Sequence, residues 1–336
     1  MAESEFAVAL VGASTLKGKE LKEALENRAF PVRRLALLDS GEEAGKLTEF
    51  DGEPVFVRPL SRESFAGVDF SFYTGSPAFT LNSWKLAEGA GSRMIDLTGA
   101  LEREKEAGAV LAAPLAGEWP PAPGRAVALA HPAASVIALV IRRLAGALPV
   151  RLAVVNVFEP ASERGSPGIE ELHQQTVKLL SFQEAPSDVF GGQLAFNLLA
   201  SMREDVRPSL ADVEQRIARQ VSLLLGSAPP RTAIRLLQAP TFHSHALSLY
   251  VELDGQRTVA ELERALGGDG VDLRLSGQEA PTAAGAASSD DVLIGDIRRD
   301  ARQPGGFWLW AAADNLRLQA LDAVRLAEWM AGVKTG

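Results

Sequence analysis

The 336-residue chain contains no cysteine. Without thiols it can form no disulfide bond, no thiolate metal site and no redox pair. It also cannot hold an acyl group as a cysteine thioester. The lack of disulfides is consistent with a cytoplasmic location.

Positive charge is also in short supply, since 34 lysines and arginines stand against 43 acidic residues, a formal net charge of −9. Nucleic-acid binding normally leaves a basic footprint, so we expect no nucleic-acid partner.

Long apolar runs are lacking too. The run Val136–Val140, for example, is soon interrupted by Arg142. That falls far short of the roughly 20 residues that span a bilayer. The acidic start, Met1–Glu5, does not resemble a signal peptide, and we expect no membrane partner.

The first third of the chain has the pattern of a parallel α/β domain. Phe6–Gly12 is an apolar run typical of a strand buried on both faces. A helical pattern follows over 17–28, and a second apolar run, Leu35–Leu38, ends at Asp39. This order predicts a right-handed βαβ unit. Further predictions are a hairpin at Asp51-Gly52, a helix after Ser76-Pro77, and strands at 69–73, 94–97 and 127–130.

The pattern changes after Pro132. Helices are predicted over 134–145, 209–225 and 316–330, strands at 152–158, 246–253, 292–297 and 307–311, and loops at 162–168 and 282–289. A chain of this length normally divides into two domains. We therefore predict an α/β fold with a Rossmann-like, doubly wound domain over 1–132 and an α+β domain over 133–315. The last helix, 316–332, can pack on either domain.

A glycine turn, Gly12–Gly18, lies between the first strand and the first helix, where a Rossmann domain holds the pyrophosphate of a dinucleotide. Thr15 stands where a middle glycine is expected, and its side chain hinders close approach of a phosphate. Asp39, 21 residues after Gly18, stands where a carboxylate binds the ribose of NAD. Two interpretations stay open: a working dinucleotide site, or packing glycines followed by a loop-opening aspartate. The candidate cofactor-binding residues are Gly12, Ser14, Thr15, Leu16, Asp39 and Gly75.

Short segments in a fixed order resemble the aspartate-semialdehyde dehydrogenase family across nearly the whole chain. They are Val11–Gly18, Arg28–Val32, Ala44–Lys46, Ile95-Asp96, Phe196-Asn197, Ile294-Gly295 and Ala313–Leu316. That family reduces aspartyl phosphate with NADPH through a cysteine thioester. The resemblance implies its two-domain fold, a link to amino-acid biosynthesis, and a homodimer formed through the sheet of the second domain.

The family's nucleophile motif, Pro-Asn-Cys-Ser/Thr at the head of a buried helix, corresponds here to Pro132–Ser135. Ala134 therefore stands at the nucleophile position, and a methyl group cannot attack a carbonyl. Ser135 is one position along and points about 100° away on a helix. We interpret its hydroxyl as part of the helix N-terminus.

Positions that the resemblance assigns to substrate and phosphate have changed as well. Gln238 replaces the arginine that clamps the substrate carboxylate, and a neutral amide loses that charge-assisted, bidentate contact. Arg216 corresponds to the substrate-site lysine. Glu102 corresponds to a phosphate-binding arginine, with Arg103 one position away, and Gly117 corresponds to the asparagine of the family's Pro-Glu-x-Asn motif.

The family's loop for the 2′-phosphate of NADP corresponds to residues 39–43 here, where Asp39, Glu42 and Glu43 bring three carboxylates. A like-charge contact at about 4 Å and surface dielectric costs on the order of a few kcal/mol. We therefore expect NAD to be favoured over NADP if a dinucleotide binds.

The family's catalytic histidine is retained as His245, and Glu159 stands where the family has a substrate-orienting glutamine. Three roles stay open for these residues. They can form an acid–base pair or a structural hydrogen bond. They can also bind a metal with His243, which a strand would place on the same face as His245. Two histidines and one distant glutamate are a weak ligand set, so we predict no metal.

The sequence therefore predicts a semialdehyde dehydrogenase homologue that lacks the parent reaction and acts as a binding or regulatory protein, with nucleotide binding either retained or lost. The alternative is an NAD-dependent oxidoreductase of altered chemistry that uses Glu159 and His245.

Overall fold

The computed structural model describes residues 5–122, 124–227 and 229–333, which form two compact units. One unit extends to His131 and includes the residues from Gln319 onward, and the other is Pro132–Leu318. Across the described ranges, no helix is both long enough and apolar enough to cross a membrane.

The first unit is built on an eight-stranded sheet with the strand order β3-β4-β2-β1-β5-β6-β8-β7. Its strands are β1 (Phe6–Val11), β2 (Val32–Asp39), β3 (Leu47–Phe50), β4 (Glu53–Pro59), β5 (Phe70–Tyr73), β6 (Arg93–Asp96), β7 (Val110–Ala112) and β8 (Ala126–Leu129), and its helices are α1 (Leu16–Asn27) and α2 (Pro77–Gly89). Neighbouring strands are parallel except β3 and β4, which form the predicted hairpin.

The second unit is built on a six-stranded mixed sheet. In chain order its elements are α3 (Pro132–Ala147), β9 (Val150–Glu159), α4 (Gly165–Leu180), α5 (Leu210–Leu224), β10 (Arg231–Gln238), β11 (His245–Leu253), α6 (Val259–Leu266), β12 (Val271–Leu273), α7 (Ala283–Ala286), β13 (Val292–Arg299), β14 (Gly306–Ala313) and α8 (Asn315–Ala331). The strand order is β10-β9-β11-β14-β13-β12. With the parallel sheet of the first unit, this arrangement confirms the predicted fold class.

Strand β1 is buried on both faces, as its continuous apolar run predicts. Val8 shares a core cluster with Leu21 of α1 and Val324 of α8. Ala9, which points to the opposite face, shares a second cluster with Trp84 of α2. Both faces of the parallel sheet are therefore covered by helices, and the C-terminal turns of α8 belong to the first unit.

The sheet of the second unit is buried on one face. Along β11, Leu247, Leu249 and Val251 are buried, whereas the alternating Ser248 and Tyr250 are half-buried. Helices α3, α5 and α6 pack with the sheet. Along β11, the second face of this sheet is therefore less enclosed than the first among the described residues.

Two predicted loops are helical instead. Residues 162–168 form a 3-10 turn and the first turn of α4, and residues 282–289 contain α7. Small residues, which suggest a loop by composition, are needed there for close contact: a Cβ on Gly168 would lie 2.4 Å from the carbonyl oxygen of Ala161. At α7, the hydroxyl of Thr282 accepts a hydrogen bond from the amide of Gly285 and caps the short helix.

Candidate functional sites

The glycine turn packs against the loop that follows β5. Gly12 has φ +93°, and a Cβ there would lie 2.3 Å from the amide nitrogen of Gly75. A Cβ on Gly18 would lie 2.4 Å from the carbonyl oxygen of Gly12. These glycines therefore allow two backbone segments to approach each other. A packing role is present whether or not a phosphate binds.

Thr15 is the N-cap of α1. Its hydroxyl accepts a hydrogen bond from the amide of Gly18 at 3.0 Å. The same hydroxyl lies 2.8 Å from the carbonyl oxygen of Gly12 and 3.0 Å from that of Thr74, and it donates its single proton to one of them. The side chain that replaces the middle glycine is thus bonded to the backbone of the turn. The N-terminus of α1, an anion-attracting element, begins at the next residue, Leu16.

Asp39, at the end of β2, holds the glycine turn. One carboxylate oxygen accepts a hydrogen bond from the amide of Ser14 and the other from the amide of Ser40, both at 2.8 Å. The side chain is nearly buried. A carboxylate has capacity for about four hydrogen bonds, so two of these contacts leave acceptor sites for a ribose hydroxyl.

The acidic loop after β2 contains a cation that the sequence analysis did not consider. The ammonium of Lys46 lies 2.6 Å from the carboxylate of Glu43. The hydrogen bond from Lys46, and then one from Ser14, hold the pKa of Glu43 below its ordinary value. Glu43 is therefore ionised at neutral pH and accompanied by a positive charge, whereas Glu42 is exposed.

Three sequence-predicted residues lie at one edge of the six-stranded sheet. Glu159 ends β9, Gln238 ends the parallel neighbour β10, and His245 begins the antiparallel neighbour β11. Parallel strands end at the same edge, and an antiparallel strand starts there. All three side chains are about 99% or more buried.

The orientation of the Gln238 amide follows from its partner. Its nitrogen donates a 2.8 Å hydrogen bond to the backbone carbonyl oxygen of Glu159. Because a carbonyl only accepts, the amide oxygen points the other way. That buried oxygen has no hydrogen-bond partner among the residues that the structure describes.

A second carboxylate, Glu163, approaches His245 within 4.8 Å. Glu163 accepts a 2.9 Å hydrogen bond from the amide of Asn315. The oxygen of that same amide accepts hydrogen bonds from the hydroxyl of Ser162 and the backbone amide of Ser244. Asn315 thereby joins the starts of α4, β11 and α8. Sequence analysis missed both Glu163 and Asn315, although Glu163 is only four residues after Glu159.

The prediction that His243 and His245 share a strand face is wrong. β11 begins at His245, and His243 lies in a bend before it. Ser244, between them, has φ +69°, which breaks the alternation of an extended strand. The three-ligand set of His243, His245 and Glu159 therefore lacks its geometric basis.

Two family models match the chain. Residues 7–119 match "Semialdehyde dehydrogenase, NAD binding domain", and residues 141–318 match "Semialdehyde dehydrogenase, dimerisation domain". A USG-1 protein homolog of Azotobacter vinelandii is 33% identical over 331 residues, which is 96% of each chain. The chain belongs to the aspartate-semialdehyde dehydrogenase family.

Other relatives agree with that assignment and confirm the resemblance found in the sequence. An aspartate-semialdehyde dehydrogenase of Prochlorococcus marinus is 26% identical to this family member over 327 residues, 96% of this chain and 94% of the relative. A solved structure of a probable aspartate-semialdehyde dehydrogenase from Pseudomonas aeruginosa superposes with a TM-score of 0.86 at 29% identity, covering 97% and 98% of the two chains. The Vibrio cholerae aspartate semialdehyde dehydrogenase II complexed with ASA has the same TM-score at 24% identity, which supports the fold.

In this semialdehyde dehydrogenase homologue, the motif Pro132–Ser135 forms the first turn of α3. Ala134 is fully buried and Ser135 is 4% exposed. Arg216 is half-buried midway along α5, directly before the buried Ile217. The predicted roles of these residues in a site stay predictions.

Proposed function

We propose that this protein retains the semialdehyde dehydrogenase fold without the thioester reaction and serves as a binding or regulatory homologue. The observation that carries the proposal is the absence of cysteine from all 336 residues. A thiolate is the nucleophile of the parent reaction, and no other residue supplies one. The fully buried methyl group of Ala134 at the head of α3 supports the same conclusion.

The state of Gln238 also supports loss of the parent substrate. The resemblance to the family implies an arginine at this position, where it would clamp the carboxylate of the substrate. Here the amide nitrogen is bonded to the carbonyl oxygen of Glu159. It therefore offers an acceptor oxygen where a carboxylate ligand would need a donor.

We further propose that the first unit binds a nucleotide, with NAD favoured over NADP. The glycine turn and the N-terminus of α1 suit a phosphate, and Asp39 suits a ribose. Asp39 and Glu42 disfavour a further phosphate beside them, although Lys46 offsets part of the charge of Glu43.

The decisive experiment is an assay of aspartate semialdehyde oxidation with phosphate and either NAD or NADP. We expect no turnover from the purified protein, nor from Ala134→Cys, because Gln238 still lacks the arginine charge. The double variant Ala134→Cys/Gln238→Arg tests whether those two changes together are sufficient to restore turnover. Turnover by the unaltered protein at about 1 s⁻¹, typical of a slow enzyme, defeats the proposal.

A second candidate function is an oxidoreductase of altered chemistry. The buried His245, with the Glu163 carboxylate within 4.8 Å and Glu159 at the neighbouring strand end, favours acid–base chemistry. NADH oxidation with a panel of carbonyl compounds, abolished in His245→Ala, supports this candidate over the binding protein.

We also propose a homodimer formed through the second unit's sheet. Its half-buried face has two aromatic pairs, Phe158 with Trp310 and Tyr250 with Trp308, whose ring centroids lie 5.8 and 5.0 Å apart. Aromatic side chains contribute strongly to protein interfaces, which supports this face as the contact.

A further inference from the structure

A buried glutamine lies at the carboxyl edge of the parallel sheet. Gln319, in α8, is 4% exposed. Its amide nitrogen lies 3.2 Å from the carbonyl oxygen of Leu97 and 3.4 Å from that of Ala130. Leu97 directly follows β6 and Ala130 directly follows β8. The side chain therefore bridges the ends of two adjacent strands.

The orientation of this amide is fixed by its neighbours. Two carbonyl oxygens require the nitrogen between them, so the amide oxygen faces away. That oxygen is closed to solvent and has no hydrogen-bond partner in the described part of the chain. A ligand outside the sheet edge cannot reach an enclosed atom. The side chain thus fills space and does not present a binding group.

Gln319 lies at the part of the strand edge that the second nucleoside of a dinucleotide would line. In doubly wound domains the ligand lies outside the carboxyl ends of the strands, with its pyrophosphate at the first glycine turn. From β1, the sheet continues through β5 to β6 and β8. At about 4.8 Å per strand, these two strand ends lie about 10 to 14 Å from β1. The buried amide of Gln319 therefore covers two strand ends on the side of β1 that a second nucleoside would need.

The geometry points to a ligand with one nucleoside, a nucleoside diphosphate of the ADP type, in place of a complete dinucleotide. This inference rests on the proposed nucleotide site and specifies its ligand class. Gln319 sets the specificity by excluding the second nucleoside, while the glycine turn and Asp39 provide the contacts that both ligands share.

Calorimetry of the full-length protein with ADP and with NAD tests the inference. We expect the unaltered protein to bind ADP at least as tightly as NAD. Gln319→Ala removes the amide while keeping a good helix former, and we expect it to raise NAD affinity by about tenfold while ADP affinity stays within about twofold. Gln319→Met, which keeps most of the volume, should leave NAD affinity low. Thermal unfolding verifies that each variant is folded.

The outcomes separate this inference from the proposed nucleotide site. If the unaltered protein binds NAD more tightly than ADP, or if Gln319→Ala weakens NAD binding or leaves it unchanged, the nucleotide site stands and the excluding role of Gln319 is wrong. If neither ligand gives heat with any of the three proteins, the nucleotide site itself is rejected. An equal gain of NAD affinity in Gln319→Met contradicts the steric explanation.

Discussion

Asp322 illustrates how one buried carboxyl group couples α8 to the rest of the first unit. Its carboxylate accepts a 2.8 Å hydrogen bond from the amide of Leu115 and lies 3.5 Å from Arg325. Burial nevertheless dominates and raises the pKa of Asp322 to about 7, against an ordinary value of 3.8. The folded protein therefore holds a proton that the unfolded chain releases between these two values.

This shift predicts how stability depends on pH. A raised pKa in the folded state makes the contribution of Asp322 most favourable below about pH 4, and that contribution is lost as the pH rises toward 7. Asp322→Asn keeps an acceptor for Leu115 without a charge. We expect it to stabilise the protein at pH 8 relative to wild type by on the order of a few kcal/mol, and to flatten the slope between pH 4 and 7.

Urea unfolding at a series of pH values measures both effects. Asp51→Asn, at an exposed turn of the same unit, is the control for removing one carboxylate. A parallel pH profile for Asp322→Asn and wild type contradicts the assigned titration.

Replacing Gly12 and replacing Gly45 distinguish two costs: the strain of a side chain at positive φ, and a steric clash with neighbouring backbone. Both have positive φ, +93° and +87°, but a Cβ on Gly12 meets the backbone of Gly75, whereas one on Gly45 meets nothing within 4 Å. We expect Gly45→Ala to cost about 1 to 2 kcal/mol of unfolding free energy from strain alone. Gly12→Ala should cost at least about 2 kcal/mol more, because backbone must move. Equal losses in chemical denaturation indicate that the contact with Gly75 is unimportant.

At the scale of elements, two consecutive arginines of α3 hold the ends of two other helices. Arg142 donates to the carbonyl oxygen of Leu224 at the end of α5, and Arg143 donates to that of Leu266 at the end of α6. The last carbonyls of a helix lack internal partners and attract positive charge. The arginines that interrupt an apolar run therefore have a structural role in the second unit.

Replacing these arginines tests the capping role. Arg142→Met and Arg143→Met keep most of the aliphatic stem, so each should lower the free energy of unfolding by about 1 kcal/mol through the lost cap. Arg151→Met, whose side chain is 60% exposed, is the control and should change it by less than about 0.5 kcal/mol. If the control loses as much as the other two variants, helix capping is not the cause.

At the scale of the whole molecule, the proposed dimer makes a prediction about mass. Sedimentation of the intact protein should give a species of twice 35.7 kDa. Trp310→Glu places a charge on the aromatic face of the sheet and should shift the species to monomer, because burying an unpaired charge is costly. Leu223→Glu, on the exposed side of α5, should leave the dimer intact. A monomeric wild type rejects the dimer, and a dimeric Trp310→Glu variant rejects this face.

The elements that sequence analysis predicted well are those whose signals are local. The run Phe6–Gly12, the Asp51-Gly52 turn and the helix predicted over 209–225 appear in the structure as β1, the β3–β4 hairpin and α5, which Ser209 caps. The helical turns within 162–168 and 282–289 were missed because small, flexible residues resemble loops in composition. The first segment depends on the close approach of Gly168 to the backbone of Ala161, and the second on the Thr282 cap.

By itself, the sequence determined which chemical groups the protein possesses: no thiol on any side chain, and apolar runs that specify the strands. Tertiary structure alone decided which groups meet. Strand order and backbone turns placed Glu163 beside His245, left His243 outside β11, and brought Gln319 to the ends of β6 and β8. The reason is that propensity and periodicity act over a few residues, whereas the partner of a buried side chain depends on the packing of segments far apart in the chain.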